Sequence, residues 1–293
     1  MKKTQDAALH GDKMGEGGIT YTVDSFSNGI AFGQHKLEQG QDPREVYSLR
    51  LADDGEMIRL RSRYALHKEK PLYELERHLM RLSRQGVLRS AIIYFGTTMD
   101  PFFPFEGKFD ASMRFLELFR RYTPGILHVQ TRSPLIVLAL PVFKTLGKHV
   151  SITIGLETAL EESVQRYTPG LPRVEDRLKT ATALRKFGIE VALQVSPVLP
   201  YGDWRGDAKS FAKLLNKHAD YIFVSSDLSA RQGSSKGTGR DVARRLAADR
   251  KFHWLRPDAS KPLLAELKRI APQKLERPKR EQFEERQMKI FAA

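Results

Sequence analysis

The 293-residue chain contains no cysteine. That absence excludes disulfides, thiolate nucleophiles, cysteine zinc sites and cysteine-held iron–sulfur clusters. Long apolar runs are missing as well: no stretch approaches the roughly 18 residues of a membrane-spanning helix. The start, Met1-Lys2-Lys3-Thr4-Gln5-Asp6, is basic but lacks the apolar core of a secretory signal. No membrane association and a cytoplasmic location are therefore expected. No two histidines stand at i, i+4, the spacing that puts two imidazoles on one helical face, so no metal site is expected. Acidic residues are in deficit, with 35 Asp+Glu against 49 Lys+Arg, a net charge of +14.

That excess favours polyanionic partners, DNA or RNA bound through a basic surface, with a protein partner as the alternative. A basic, well-solvated surface gives the same total, because a net charge locates no patch. One cluster is Arg231, Lys236, Arg240, Arg244, Arg245, Arg250 and Lys251. A second, Lys268, Arg269, Lys274, Arg277, Lys279 and Arg280, is interleaved with Glu276, Glu281, Glu284 and Glu285, which weakens it as an anion-binding tail.

Residues 1–45 show no sustained periodicity and read as a loosely ordered N-terminal arm. From 46 an alternation of strands and helices begins. Val46–Leu51 alternates with period two and reads as the first strand. Leu72, Leu75, Leu79 and Leu82 follow at helical spacing. Ala91–Phe95 is a short apolar run of the kind found in buried parallel strands. Further strands are read at Ile126–Gln130, Val150–Leu156, Ile189–Val195 and Tyr221–Ser225. Helices are read at Asp110–Arg121, Pro141–Leu146, Val174–Phe187, closed by Gly188, and Ala208–Lys217. This order predicts an α/β fold with a parallel sheet, and without a Gly-rich nucleotide fingerprint it favours a partial or complete β/α barrel over residues 46–260. Residues 261–293 read as a basic, charged helical tail.

In a β/α barrel, function is expected in the loops that follow the strands. Several carry distinctive residues. Thr98 and Asp100-Pro101-Phe102-Phe103-Pro104-x-Glu106 follow Ala91–Phe95. Thr131-Arg132-Ser133-Pro134-Leu135-Ile136 follows the next strand, and Glu157, Tyr167-Thr168-Pro169-Gly170-Leu171-Pro172 and Arg177-Leu178 the one after. Pro197-Val198-Leu199-Pro200-Tyr201-Gly202-Asp203 follows Ile189–Val195. In their order and spacing over roughly residues 46–226, these motifs resemble the radical SAM superfamily, specifically its spore photoproduct lyase-like group. The resemblance implies a TIM-type barrel, a [4Fe–4S] cluster held by three cysteines, S-adenosylmethionine on the fourth iron, and a DNA-lesion substrate.

The chain departs from that pattern where the chemistry is made. The counterpart of the group's Gly-Cys-x-x-x-Cys-x-x-Cys-Tyr-Ala is Gly55-Glu56-Met57-Ile58-Arg59-Leu60-Arg61-Ser62-Arg63-Tyr64-Ala65. Glu56, Leu60 and Arg63 stand where the thiolates would be. Leu and Arg bind no iron, and one Glu holds no cluster. Leu138-Ala139 replaces an Arg-Asp pair, and Gly155-Leu156 a polar Ser/Thr, which counts against S-adenosylmethionine binding at Thr98, Arg132, Ser133, Glu157 and Arg177. No cofactor is expected. A pseudoenzyme with a binding or regulatory role linked to nucleic acid is one expectation. The alternative is a repurposed non-radical enzyme whose acid/base residues are Asp100, Glu106 and Asp203, joined by Arg132, Glu157 and Arg177.

Bland readings stand beside these. Asp100 and Glu106 also serve as helix caps or loop braces. Phe102, Phe103 and Phe105 line a pocket or pack a core. Gly233-Ser234-Ser235-Lys236-Gly237-Thr238-Gly239-Arg240 lacks the Walker spacing and reads as a loop before a helix, with anion binding as its alternative. Trp204 covers the mouth or anchors the surface to the core.

Overall fold

The computed structural model describes residues 20–23, 46–50, 57–61, 65–96, 100–102, 108–226, 228 and 236–275. Six strands form one parallel sheet: β1 Thr20–Val23, β4 Ile92–Phe95, β5 Ile126–Thr131, β6 Val150–Gly155, β7 Glu190–Val195 and β8 Tyr221–Val224. Their spatial order is their chain order, so each crossover moves one strand further in the same direction. β1 and β8 are the two edges, which makes the architecture a partial β/α barrel. Between β1 and β4 lies a separate antiparallel hairpin, β2 Val46–Arg50 with β3 Met57–Arg61.

Two boundaries differ from the sequence reading. Val46–Arg50, within the stretch read as the first strand, is the first arm of the hairpin rather than the first barrel strand. That place belongs to Thr20–Val23, inside the segment read as a loose arm; Thr20 pairs with Ile92 and Val23 with Phe95. A four-residue edge strand, Thr-Tyr-Thr-Val, gains its order from its neighbour and carries too short a pattern to stand out. The other difference lies at the C-terminus. Lys261–Ile270 forms a helix with Leu263 and Leu267 fully buried, so the fold continues through residue 275. The charged residues Lys268 and Arg269 mask that apolar stripe in the sequence.

The helices are α1 Ala65–Arg84, α2 Lys108–Arg121, α3 Leu140–Leu146, α4 Glu161–Tyr167, α5 Val174–Lys186, α6 Ala208–His218, α7 Lys236–Ala248 and α8 Lys261–Ile270. The periodic leucines of α1 are buried at Leu75, Leu79 and Leu82. α5 stops at Gly188, whose φ of +76° lets Ile189 N–H reach back to the Leu184 carbonyl at 3.2 Å. α8 packs on α6, and Lys274 Nζ donates to the carbonyls of Asn216 and Ala219 at 2.7 and 2.8 Å, capping the end of α6. Burial pulls the Lys274 ammonium down from its ordinary value. No helix of the described residues is long and apolar enough to cross a membrane.

The two faces of the sheet are unlike. Ile93, Phe95, Leu127, Val129, Ile152, Ile154, Val191, Leu193 and Val195 are buried and form one apolar face. Period-two alternation puts Tyr94, His128, Gln130, Ser151, Thr153, Glu190 and Gln194 on the other. A closed barrel fills its interior with branched apolar side chains. This one presents polar and aromatic groups there.

Candidate functional site at the strand ends

The loops after β4, β5 and β6 meet through two carboxylates. Asp100 follows β4. Its Oδ1 accepts from Phe102 N–H at 2.9 Å and from Thr131 Oγ1 at 2.5 Å, and its Oδ2 accepts from Arg132 N–H at 2.6 Å. Asp100 thus ties the β4 loop to the end of β5. Thr131 Oγ1 in turn accepts from Ser133 N–H at 2.9 Å, and Ser133 Oγ accepts from Leu135 N–H at 3.3 Å, capping the 3₁₀ turn Pro134–Ala139. Phe102 is fully buried in the core, which settles its role as packing. Ser112 Oγ donates to the Pro101 carbonyl and fixes the loop to α2.

The second carboxylate is Glu157, after β6 and 0% exposed. Arg132 Nε donates to its Oε1 at 2.5 Å. Arg177 Nη1, from the second turn of α5, donates to its Oε2 at 2.7 Å and to the Gly155 carbonyl at 2.8 Å. Burial pushes the Glu157 carboxyl up, but the charges and hydrogen bonds of Arg132 and Arg177 outweigh it and hold the group below its ordinary value. Gly155 makes the pair possible: a Cβ there would lie 2.8 Å from Arg132 Nε and 2.9 Å from its Cγ. The missing polar side chain at 155 is thus the space in which the Arg132 stem lies.

One layer deeper, Gln130 Nε2 donates to Gln194 Oε1 at 2.6 Å. The two glutamines sit on β5 and β7 and join across β6, opposite Thr153 and Gly155 respectively. Tyr94 and His128 stack with ring centroids 5.0 Å apart. Neither pair was singled out from sequence. The signal was present in Ile-Leu-His-Val-Gln-Thr of β5, where polar residues recur every second position.

Asp203 lies outside this cluster. It is exposed in the loop after β7, where its Oδ1 accepts from Gly206 and Arg205 N–H at 2.5 and 3.1 Å. These backbone donors, Gly206 first, hold its carboxyl below the usual carboxylate range. It braces a turn. Beside it, Trp204 Nε1 donates to the Ala259 carbonyl at 2.9 Å, and the ring stacks on His253 with centroids 5.0 Å apart, fastening the β7 loop to the C-terminal segment.

The structure therefore gathers Asp100, Arg132, Ser133, Glu157 and Arg177 and leaves Asp203 apart. Thr98, Glu106, Phe103, Phe105, Glu56, Arg63 and residues 233–235 lie outside the described residues. Leu60 belongs to β3, where it pairs with Tyr47. Part of the stretch matched to the cluster loop is therefore a hairpin strand. The donor set does not fit a [4Fe–4S] cluster: the chain offers no thiolate, and a leucine offers no ligand atom. Among the described residues, no group of three or more His, Asp or Glu side chains converges as a metal site.

No protein-family model and no curated protein sequence matches the chain. Solved structures do. A cysteine-to-serine mutant of spore photoproduct lyase matches with a TM-score of 0.52 at 10% identity, covering 94% of this chain and 77% of that one. A further spore photoproduct lyase mutant, with bound AdoMet and dinucleoside spore photoproduct, gives 0.44 at 11% identity over 60% of this chain. Elp3 of the archaeon Methanocaldococcus infernus gives 0.45 at 17% identity over 70%. The chain spans about half, 51%, of the length of each of these last two. The fold is thus similar to that of spore photoproduct lyase, in line with the β/α barrel that the loop motifs implied, here in a chain without cysteine.

Proposed function

We propose that this chain is a degenerate radical SAM-like barrel that works by binding rather than by radical or acid/base chemistry, with nucleic acid as its partner. The observation that carries the reading is the state of the carboxylates at the strand ends. Glu157 is enclosed by two guanidiniums, Asp100 accepts from Thr131 and two backbone N–H groups, and Asp203 caps a turn. A general acid at neutral pH needs a raised pKa, and a general base needs open lone pairs beside a substrate. Glu157 and Asp203 are held down instead, and both Asp100 oxygens accept hydrogen bonds from Phe102, Thr131 and Arg132.

The net charge of +14 supports a polyanionic partner. Not all of the basic clusters is available to it. Arg245 Nη1 donates to the Arg166 carbonyl, and Lys274 caps α6. Arg250 and Lys251, by contrast, are exposed at the end of α7.

Fluorescence anisotropy of a labelled single-stranded oligonucleotide, with calorimetric titration of S-adenosylmethionine alongside, tests the proposal. Saturable oligonucleotide binding without S-adenosylmethionine binding is expected. Tight S-adenosylmethionine binding with no oligonucleotide binding would overturn it.

A further inference from the structure

Arg177 is 0% exposed, yet it uses one of its three nitrogens. Nη1 serves both the Gly155 carbonyl and Glu157, while Nε and Nη2 meet no hydrogen-bond acceptor among the described residues. These two nitrogens form one edge of the guanidinium, with parallel N–H groups that match the spacing of two oxygens on a phosphate or carboxylate. Leaving charged donors unmet in a buried site carries a large desolvation penalty.

The carboxylates around it are already engaged. Glu157 is shared with Arg132, Asp100 accepts from Arg132 N–H, and Glu161 Oε2 accepts from Val174 N–H at 2.9 Å at the start of α5. A guanidinium stays charged at any working pH, so deprotonation offers no relief.

We infer that the Nε/Nη2 edge of Arg177 is an oxyanion site that takes a single phosphate group. The two-donor edge selects two oxygens of one centre. A phosphate monoester and the phosphodiester of a nucleic acid share this chemistry. The inference does not depend on nucleic acid being the partner.

The test uses the full chain labelled with ¹⁵N, with the Arg177 Nε–H resonance assigned through bonds in the unmodified protein. Inorganic phosphate is titrated in one arm. A dinucleotide with one internal phosphodiester and no terminal phosphate is titrated in the other. A saturable shift of that resonance in either arm is expected, and the arm that produces it identifies the source. By calorimetry, Arg177→Lys, which keeps the charge and removes the edge, should weaken the same titrant by about tenfold to a hundredfold, the loss of one charge-assisted hydrogen bond or more. Absence of a shift in both arms overturns the site and leaves the edge to water. A phosphate shift in a protein that binds no oligonucleotide sustains the site and overturns the function proposed above alone.

Discussion

Glu157 is fully buried, and Arg132 and Arg177 each pair with one of its carboxylate oxygens. Removing one member of a buried ion cluster leaves the rest uncompensated, at a cost of about 3–5 kcal/mol. Glu157→Gln should lower the urea midpoint accordingly. The pH dependence has a definite sign. A carboxyl held below its unfolded value stabilises the fold above that value, and the contribution is lost as pH falls through the folded one. For Glu157 the ordinary value is 4.5, so the loss begins near there and continues on acidification. Glu157→Gln should therefore flatten the acid limb of the stability profile; an unchanged acid limb would show that the group does not titrate with folding. Gly155→Ala should destabilise by about 1–3 kcal/mol, because the added methyl displaces the Arg132 stem. A wild-type midpoint in that variant would contradict this packing. At this scale the sequence was informative in part. Asp100, Arg132, Ser133, Glu157 and Arg177 were legible as a group from loop position. Their roles were not, since the same residue types serve as acids, caps or counter-ions depending on what folds against them.

The elements follow hydrophobic periodicity closely where they are long. The α5 reading, Val174–Phe187 closed by Gly188, differs from the helix by one residue, and Ile126–Gln130 grows by one into Ile126–Thr131. Short or masked elements escaped. β1 has four residues and depends on β4 for its order; the second arm of the hairpin, Met-Ile-Arg-Leu-Arg, looked like a ligand loop because its spacing suited one. α8 was read as a charged tail, although Leu263 and Leu267 lie one turn apart on its buried face. Leu267→Ala should cost about 2–5 kcal/mol by opening a cavity against α6, measurable as a shift in the urea midpoint. A change below about 0.5 kcal/mol, the range of a surface substitution, would show that α8 is the appendage the composition suggested.

Across the whole molecule, two properties set the functional reading. The partial barrel keeps its strand ends ordered by internal ion pairs and hydrogen bonds, although the chain has no residues to hold the cluster that the motifs imply. The charge balance, +14 over 293 residues, is the basis on which a polyanionic partner is proposed. The direct test is the salt dependence of oligonucleotide affinity, measured by anisotropy on the full chain from low to physiological ionic strength. Binding through a few phosphate contacts predicts that log K falls linearly with log salt, losing about 10- to 100-fold between 50 and 200 mM. Affinity that is independent of salt, or no binding at the lowest salt, would contradict the account.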